Sequence, residues 1–386
     1  MVPGAGHDRV IPGALAALSL LIWAGLIAAH HGFWLTRERD AADLPPPPAR
    51  WPDVVAIVPA RDEADVVSRA IGSLAAQDYP GRFRIILVDD GSVDDTAAIA
   101  RAAVPGDRLT ILAGAPLAHG WTGKLWAVHQ GIAAAGTPDW LWLTDADIAH
   151  APDTLRMLVT RGEGRGLALV SLMAKLRCDS LAERALIPAF VFFFRMLYPF
   201  AQANAPRGKG AAAGGCMLVR RTALAAAGGI GAIRGALIDD CTFGALMKRQ
   251  GRIWLGLTDR SVSIRPYVGT APIAAMIARS AYAQLGYRPV MLAGTLAGLA
   301  LVYGVPPLAT VFGGGWTRIA GAMAWALMAL SFQPMLRFYR RSPLWGLALP
   351  GIAAFYAGCT LLSAWQHARG RGGFWKGRAQ AAIGQE

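Results

Sequence analysis

The chain has 386 residues, of which 54% are hydrophobic and 16% charged, and its formal net charge is +13. This composition is more apolar than that of an ordinary soluble protein, so part of the chain is expected to lie in lipid. The polar part shows no basic stripe interleaved with stacking aromatic residues, which excludes nucleic acid as the partner. Anionic lipid headgroups and an anionic nucleotide explain the charge better. The four cysteines show neither metal-type pairing nor a disulfide framework, which fits a reducing compartment.

Four apolar stretches are each about as long as the ~20 residues that a helix needs to cross the hydrocarbon layer. They lie at residues 11–29, 290–313, 319–336 and 344–365. The first could be a signal peptide, but its apolar run is long and shows no small-residue cleavage site before the polar stretch. The histidine and aromatic residues at 30–34 are typical of an interfacial belt. We therefore predict an uncleaved membrane anchor.

These spans divide the chain into six predicted segments. They are an anchor at 1–36, a proline-rich linker at 37–52, a sheet domain at 53–265, an interfacial segment at 266–289, a transmembrane region at 290–366 and a basic tail at 367–386. The four consecutive prolines of the linker cannot join a helix or a sheet and should act as a stiff spacer. A further apolar stretch at 185–200 is too short to span the membrane. We predict that it forms a helix in the membrane interface or beneath the site that binds an acceptor substrate.

Short β-rich runs alternate with helical ones from Val54 onward. Strands are predicted at residues 54–58, 84–88, 109–112, 140–143, 167–172, 216–219 and 253–257, and helices at 65–76, 95–103, 124–135, 152–159 and 242–249. This order predicts an α/β domain with a mostly parallel sheet and right-handed crossovers.

Polar motifs follow three of the predicted strands, where open α/β sheets bind their ligands. They are Pro-Ala-Arg-Asp-Glu at 59–63, Asp-Asp-Gly-Ser-Val-Asp-Asp-Thr at 89–96 and Asp-Ala-Asp at 145–147. Carboxylates two residues apart can turn toward one hard cation, which bridges the oxygens of a diphosphate. This makes Asp145 and Asp147 candidate metal ligands. An isolated Asp-x-Asp (DxD) motif is weak evidence, because Asp147 or Asp153 could instead cap the next helix.

Four further features each have a functional and a structural interpretation. Asp90 could accept a hydrogen bond from a base or ribose, or belong only to a turn. Lys124 opens a predicted helix and could bind phosphate, or be an ordinary surface lysine. The glycine pair that begins at Gly214 permits close approach of a ligand, or forms a bulge. Asp239 and Asp240 either cap a helix or include a general base for an acceptor hydroxyl.

Taken in order, these motifs resemble family 2 of the glycosyltransferases over about residues 54–258. The resemblance rests on residues 58–63, 88–96, 123–124, 145–147, 214–216 and 239–240. It implies a Rossmann-like GT-A fold, inverting transfer of a hexosyl or N-acetylhexosaminyl group, and a Mn²⁺ or Mg²⁺ requirement. By position, it implies nucleotide-sugar contacts at Pro59, Arg61, Glu63, Asp90, Lys124, Asp145, Asp239 and Arg279, metal ligation at Asp145 and Asp147, and a general base at Asp240. Asp239 replaces the glutamate of the family's Glu-Asp pair, which leaves the base assignment intact.

The processive members of this family carry a Gln-x-x-Arg-Trp motif, which residues 279–287 do not match. The resemblance therefore implies single transfers to a lipid-like acceptor, with Arg279 near the leaving diphosphate. More narrowly, the layout is similar to the hopene-associated glycosyltransferases of bacterial hopanoid clusters. The similarity lies in the single amino-terminal span, the motifs at 58–63 and 120–124, and the carboxy-terminal membrane block. It implies a hopanoid or related polycyclic lipid as the acceptor.

We expect a multi-pass protein of the bacterial inner membrane whose catalytic domain faces the cytoplasm, where nucleotide sugars are made. The topology is not fixed by charge, because the basic stretches at 337–341 and 367–378 lie on opposite sides of the last predicted span. One alternative is a non-catalytic scaffold in a lipid pathway, which the intact acids of every motif disfavour. Another is a nucleotidyltransferase, which would require a glycine-rich turn where residues 59–63 stand.

Overall fold

The structure is a computed structural model that describes residues 7–370 and two short strands at 374–375 and 378–379. The other residues of the predicted basic tail beyond 370 lie outside this description. The chain divides into two compact units. The helical unit consists of the described parts of Met1–Thr36, Cys178–Pro199 and Tyr267–Gly372, and the sheet unit of Arg37–Arg177, Phe200–Pro266 and the described part of Gly373–Glu386.

An eight-stranded sheet forms the centre of the sheet unit. Its strands are β1 Val54–Ala60, β2 Phe83–Asp89, β3 Leu109–Ala113, β4 Trp140–Thr144, β5 Ile148–His150, β6 Leu169–Lys175, β7 Cys216–Arg220 and β8 Ile253–Ser263. The spatial order is β3-β2-β1-β4-β7-β6-β8-β5. Neighbours in β3-β2-β1-β4 and in β6-β8 run parallel, whereas β7 and β5 are antiparallel to their neighbours. The predicted α/β class with a mostly parallel sheet is confirmed.

Both faces of the sheet are covered by apolar side chains, as β1 illustrates. All seven of its residues are buried, and they alternate between two hydrophobic clusters. Val54, Ala56 and Val58 belong to one cluster, and Val55 and Ile57 to the other. This is the period-two pattern of a strand whose two faces are both packed against helices. Burial on both faces leaves only the strand ends open to a ligand.

The described helices are numbered in chain order. They are α1 His7–Ala29, α2 Ala64–Ala75, α3 Thr96–Ala103, α4 Gly123–Ala134, α5 Thr154–Gly164, α6 Leu181–Leu197, α7 Phe200–Asn204, α8 Arg221–Ala226, α9 Asp239–Lys248, α10 Ala271–Gln284, α11 Pro289–Leu299, α12 Val305–Phe312, α13 Gly315–Phe338 and α14 Leu349–Ala368. In α2 the buried residues recur at the three- and four-residue spacing of an amphipathic helix, and Ile71 and Leu74 are almost completely buried.

Three helical stretches of the helical unit are long and apolar enough to cross a membrane. They are Ile11–Ala29, Pro289–Phe312 and Gly315–Phe338. The second joins α11 to α12 through a short π-helical segment, Ala300–Gly304. The fourth apolar stretch of the sequence forms α14, but among the described residues it is not one of the helices that meet this criterion.

Helix α6 belongs to the helical unit and corresponds to the helix predicted at 185–200. It begins earlier than predicted because Ser180 and Glu183 form a capping box, in which each side chain accepts a hydrogen bond from the other residue's backbone. Near its end, the buried guanidinium of Arg195 donates hydrogen bonds to the carbonyl oxygens of Phe33 (2.8 Å) and Leu35. Arg195 thus satisfies carbonyls of the chain that follows α1.

The segment predicted as a proline-rich linker, residues 37–52, belongs to the sheet unit, which begins at Arg37. Arg161 donates hydrogen bonds to the carbonyl oxygens of Asp40 (2.7 Å) and Ala42 (2.6 Å). The Asp40 side chain is buried and pairs with Arg260 at 3.2 Å. These polar contacts hold the start of the segment in place within the sheet unit.

Candidate active site

The candidate site lies at the carboxyl-terminal edge of the sheet because of how β4 and β7 pair. Thr144, the last residue of β4, pairs with Cys216, the first residue of antiparallel β7. The DxD motif that follows Thr144 is thereby brought next to Gly214, which precedes β7. The amino terminus of α4 carries Lys124, and the first turn of α9 carries the Asp239-Asp240 pair.

Lys124 joins two of the acidic motifs through its ammonium group. Its Nζ lies 2.8 Å from Oδ1 of Asp145 and 3.3 Å from Oδ2 of Asp239. All three side chains are half-buried. Burial disfavours the charged lysine, but Asp145 and Asp239 outweigh it and raise the pKa of Lys124. The interpretation of Lys124 as an ordinary surface lysine is therefore wrong.

Asp240 sits beside this ion-pair network with both carboxylate oxygens hydrogen-bonded. The backbone N–H of Gly214 donates to Oδ2 at 3.2 Å, and that of Cys241 donates to Oδ1 at 2.7 Å. Burial and the nearby Asp239 raise the pKa of Asp240 to about 6, although Lys124 acts in the opposite direction. A carboxylate with this pKa is ionised at neutral pH and is a stronger base than an ordinary aspartate.

Gly214 packs closely against this cluster. A Cβ atom at position 214 would lie 3.3 Å from Nζ of Lys124 and 3.5 Å from Cβ of Asp240. Burial also raises the pKa of Asp145, while the ammonium of Lys124 opposes this shift. The glycine that the sequence suggested for close approach of a ligand thus makes room for the site's own charged side chains.

Arg265 contacts two of the predicted site acids, although the sequence did not point to it. Its Nε donates to Oδ2 of Asp147 at 2.9 Å, and its Nη2 pairs with Oε2 of Glu63. It lies two residues beyond Ser263, the end of β8, and β8 runs parallel to β6 and in the same direction as β1 and β4. The rule that selected the other strand ends would have selected Arg265, had β8 not been predicted to end at Leu257.

The loops that follow β1 and β2 are tied together by hydrogen bonds. Arg61 donates from Nη1 to the carbonyl oxygens of Asp90 and Gly91, the latter at 3.0 Å. The backbone N–H of Asp62 donates to Oγ of Ser92 at 3.0 Å. Asp90 itself is only 1% exposed. Arg61 therefore supports the loop that contains Asp90, a role that position in the sequence alone did not indicate.

A small cavity of about 20 Å³, room for about one water molecule, lies against the ion-pair network. Its lining includes Pro59, Lys124, Asp145, Gly214 and Asp239. Pro59, a predicted nucleotide-sugar contact of the first motif, therefore lies close to Asp145 and Asp239.

The two acids of the DxD motif fit a divalent cation that is shared with a substrate. Asp145 and Asp147 each give one carboxylate oxygen to a basic side chain, Lys124 and Arg265 respectively. Among the described residues, no group of three or more His, Cys, Asp or Glu side chains could hold a metal ion by itself. Mg²⁺ is commonly bound by one or two carboxylates together with substrate phosphates and water. The two carboxylates therefore suit a cation that takes its remaining ligands from a diphosphate.

The remaining predicted residues have separate places. Arg279 is exposed on α10, in the helical unit. The alternative that Asp147 caps a helix is not supported, because α5 begins at Thr154 and Asp147 pairs with Arg265. Asp153 occupies the N-cap position of α5 without a side-chain cap, and accepts a hydrogen bond from Arg260.

Comparison with known proteins finds similarity in the part of the chain that contains the first motifs of this site. Residues 55–228 match the model of glycosyl transferase family 2. The succinoglycan biosynthesis protein ExoO of Rhizobium meliloti (strain 1021) is 35% identical over 152 residues, which cover 37% of this chain and 42% of that protein. An N-acetylglucosaminyltransferase of Rhizobium leguminosarum bv. viciae is 33% identical over 140 residues, covering 34% of this chain and 31% of that protein. The matches thus span less than half of the length of these relatives.

A solved structure shares the fold. The mannosyltransferase PcManGT from Pyrobaculum calidifontis, in complex with GDP-Man and Mn²⁺, matches with a TM-score of 0.57 at 19% identity, covering 92% of this chain and 99% of that chain. The matched family segment contains the first two motifs, Lys124 and the DxD motif. Residues 55–228 are therefore similar to family 2 glycosyltransferases, and the chain has the GT-A fold.

Proposed function

We propose that the protein is a membrane-bound inverting glycosyltransferase that moves a sugar from a nucleotide-diphosphate sugar to a hydroxyl group of a lipid. The observation that carries this proposal is the network of Lys124, Asp145, Asp239 and Asp240 at the carboxyl-terminal edge of the sheet. In this network the ammonium of Lys124, which can pair with a diphosphate, lies near Asp240, a carboxylate with a raised pKa.

The donor is bound through its nucleoside and its diphosphate. Lys124 and the free backbone N–H groups at the start of α4 favour the negative charge of the diphosphate. Pro59, Glu63 and Asp90 serve the nucleoside side, and Arg61 positions the loop that contains Asp90. A divalent cation on Asp145 and Asp147, Mn²⁺ or Mg²⁺, would neutralise charge on the leaving diphosphate.

Asp240 acts as the general base. The acceptor hydroxyl oxygen forms a bond to the anomeric carbon of the sugar, and the bond from that carbon to the diphosphate oxygen breaks. The hydroxyl proton passes to the Asp240 carboxylate, whose raised pKa favours this transfer. Asp239 orients Lys124 by its ion pair. Attack from the face opposite the leaving diphosphate inverts the anomeric configuration.

A lipid acceptor is favoured by the three helices that are long and apolar enough to cross a membrane. The absence of the Gln-x-x-Arg-Trp motif at 279–287 favours a single transfer over polymerisation. We place the sheet unit on the cytoplasmic side of a bacterial inner membrane, where nucleotide sugars are made. The resemblance to hopene-associated glycosyltransferases makes a hopanoid the first acceptor to test, and a contact between Arg279 and the leaving diphosphate stays a prediction.

The experiment incubates membranes that contain the protein with labelled UDP- and GDP-sugars and bacterial lipid extract, hopanoids included. We expect a lipid-linked sugar, identified by mass spectrometry, whose formation stops after exhaustive chelation and resumes with Mn²⁺. Release of pyrophosphate, or the absence of a glycolipid with every donor, would contradict the proposed reaction.

The base is tested with Asp240→Asn, which should abolish transfer while nucleotide-sugar binding, measured by calorimetry, survives. The matched control is Asp153→Asn, an acid of the same unit that pairs with Arg260 outside the network. The control should retain transfer. If Asp240→Asn retained a near wild-type rate, another residue would be the base.

A further inference from the structure

Arg265 forms ion pairs with two acids that follow neighbouring strands, Glu63 after β1 and Asp147 after β4. Its guanidinium contacts Asp147, the second acid of the DxD motif, and Glu63, the last residue of the first motif. We infer that Arg265 is an internal counter-ion that holds Asp147 in the donor-free protein and must release it before a divalent cation can bind there. This inference rests on the proposed function.

The backbone keeps Arg265 at this position independently of its side chain. The N–H of Ile264 donates a hydrogen bond to the carbonyl oxygen of Asp147 at 2.9 Å, and Ile148 pairs with Ser263 across β5 and β8. The residue after this pairing is thus fixed next to the DxD motif. The backbone therefore fixes residue 265 beside the DxD motif, and from there the side chain of Arg265 reaches both acids.

Partial burial strengthens the contact. The side chain of Arg265 is 31% exposed, that of Asp147 21% and that of Glu63 9%. Burial opposes the charged arginine, but Asp147 and Glu63 outweigh it and raise the pKa of Arg265. Ion pairs that are withdrawn from water in this way are screened less by salt than exposed pairs are. A cation that binds Asp147 must therefore compete with a well-held guanidinium.

The diphosphate of the donor resolves this competition. A guanidinium forms paired hydrogen bonds with phosphate oxygens as readily as with a carboxylate, so the diphosphate offers Arg265 a replacement anion. Once Arg265 turns to the diphosphate, Asp147 is open to the cation. The cation alone should accordingly bind weakly, and binding of cation and donor should be coupled through Arg265.

The test measures Mn²⁺ binding by the full-length, detergent-solubilised, donor-free protein, using electron paramagnetic resonance of the unbound ion. Loss of a charge-assisted pair on Asp147 in Arg265→Gln should tighten Mn²⁺ binding about tenfold. Arg265→Lys retains the charge without the planar fork and should give an intermediate affinity. Thermal unfolding of each variant establishes that it is folded.

The matched control is Arg260→Gln. Arg260 lies on β8 itself and pairs with Asp40 and Asp153, so the substitution removes the same charge from outside the acidic motifs. Its Mn²⁺ affinity should stay within about twofold of wild type at physiological salt, because screening weakens the remaining long-range effect. Equal tightening in Arg260→Gln and Arg265→Gln would overturn the inference, because net charge would then explain it.

A second measurement repeats the titrations with GDP and with UDP. The nucleotide that binds should increase the Mn²⁺ affinity of the wild-type protein by a larger factor than that of Arg265→Gln. Equal factors would overturn the coupling through Arg265. Failure of every variant to bind Mn²⁺, even with both nucleotides, would reject the metal site of the proposed function as well, whereas unchanged affinity in Arg265→Gln alone would reject only the counter-ion.

Discussion

The loops after β1 and β2, residues 61–64 and 90–96, are joined by hydrogen bonds, whereas the acids after β4 and Asp239 at the start of α9 are held by ion pairs. We call the first region the loop side and the second, together with Lys124 and Arg265, the acid side. Each of these hydrogen bonds of the loop side has a backbone atom as its donor or its acceptor. They therefore position the loops before any nucleotide sugar binds. The ion pairs of the acid side involve side chains that are themselves proposed to bind the nucleotide sugar or its cation.

The charges of the two regions differ accordingly. The acid side brings Asp145, Asp147, Asp239 and Asp240 together around two basic side chains, so negative charge is in excess there. Such an excess lowers stability in the absence of a ligand and favours a divalent cation. Substitutions on the loop side are thus expected to cause only small losses in nucleotide-sugar binding. Substitutions on the acid side are expected to change the transfer rate, its pH dependence and the stability of the protein together.

Apart from loss of the proposed base Asp240, the largest effect is expected for Lys124→Gln. Loss of a cation aimed at the diphosphate should lower the transfer rate by at least about 100-fold. Asp145 and Asp240 lose a counter-ion that lowers their pKa values, so these pKa values, which burial already raises, rise further. Such carboxylates bind protons more tightly when folded, so the unfolding free energy of the variant should fall as the pH rises from 4 to 7, more steeply than in wild type.

Chemical denaturation at several pH values measures this effect. The control is Lys209→Gln, an exposed lysine of the same unit, which should change neither the transfer rate nor the pH dependence of stability. An equal stability loss at every pH would show that packing, and not charge balance, accounts for the role of Lys124.

The second prediction concerns the pH dependence of transfer. Because burial and Asp239 raise the pKa of Asp240 to about 6, kcat/KM should fall as the pH drops below about 6, by about tenfold per pH unit once the base is protonated. Asp239→Asn removes one of the charges that raise this pKa and should move the acidic limb to lower pH. An acidic limb that stays in place in Asp239→Asn would mean that another group titrates.

Much of the sheet unit could be predicted from the sequence, because its strands are apolar runs that end in polar motifs. All seven predicted strands exist, with ends shifted by a few residues. Strand β5 has only three residues, too few to show a pattern. Strand β8 continues to Ser263 through the charged pair Asp259-Arg260, where hydropathy ends a predicted strand. Because the predicted strand stopped at Leu257, Arg265 was not recognised as a residue that follows a strand end.

The candidate site was predictable as a set of residues but not as a set of contacts. Order along the chain selected Lys124, Asp145, Asp239 and Asp240, which the structure brings together. The sequence does not reveal that Arg61 donates to backbone carbonyls, because any residue can supply a carbonyl. The fixed position of the proline-rich segment was likewise missed, since it depends on the buried side chain of Asp40.

A smaller effect is expected for Gly214→Ala, which tests how tightly the acid side is packed. The added Cβ would lie 3.3 Å from Nζ of Lys124, so the ammonium must move by a few tenths of an ångström. A displacement of this size should slow transfer about tenfold while leaving nucleotide affinity and the unfolding temperature nearly unchanged. The control is Gly72→Ala in α2, where an added Cβ meets no atom within 4 Å. Equal rates in both variants would show that the network tolerates displacement.

The smallest effect is expected on the loop side, for Arg61→Gln. The shorter side chain cannot hold the carbonyl oxygens of Asp90 and Gly91, so the loop should become more mobile before donor binding. Loss of these charge-assisted hydrogen bonds should raise KM for the donor about fivefold to tenfold, with kcat changed by less than about twofold. Amide hydrogen exchange over residues 90–93 should accelerate in the same variant. A fall in kcat as large as the rise in KM, without faster exchange, would instead put Arg61 in contact with the reacting diphosphate and assign it to the acid side.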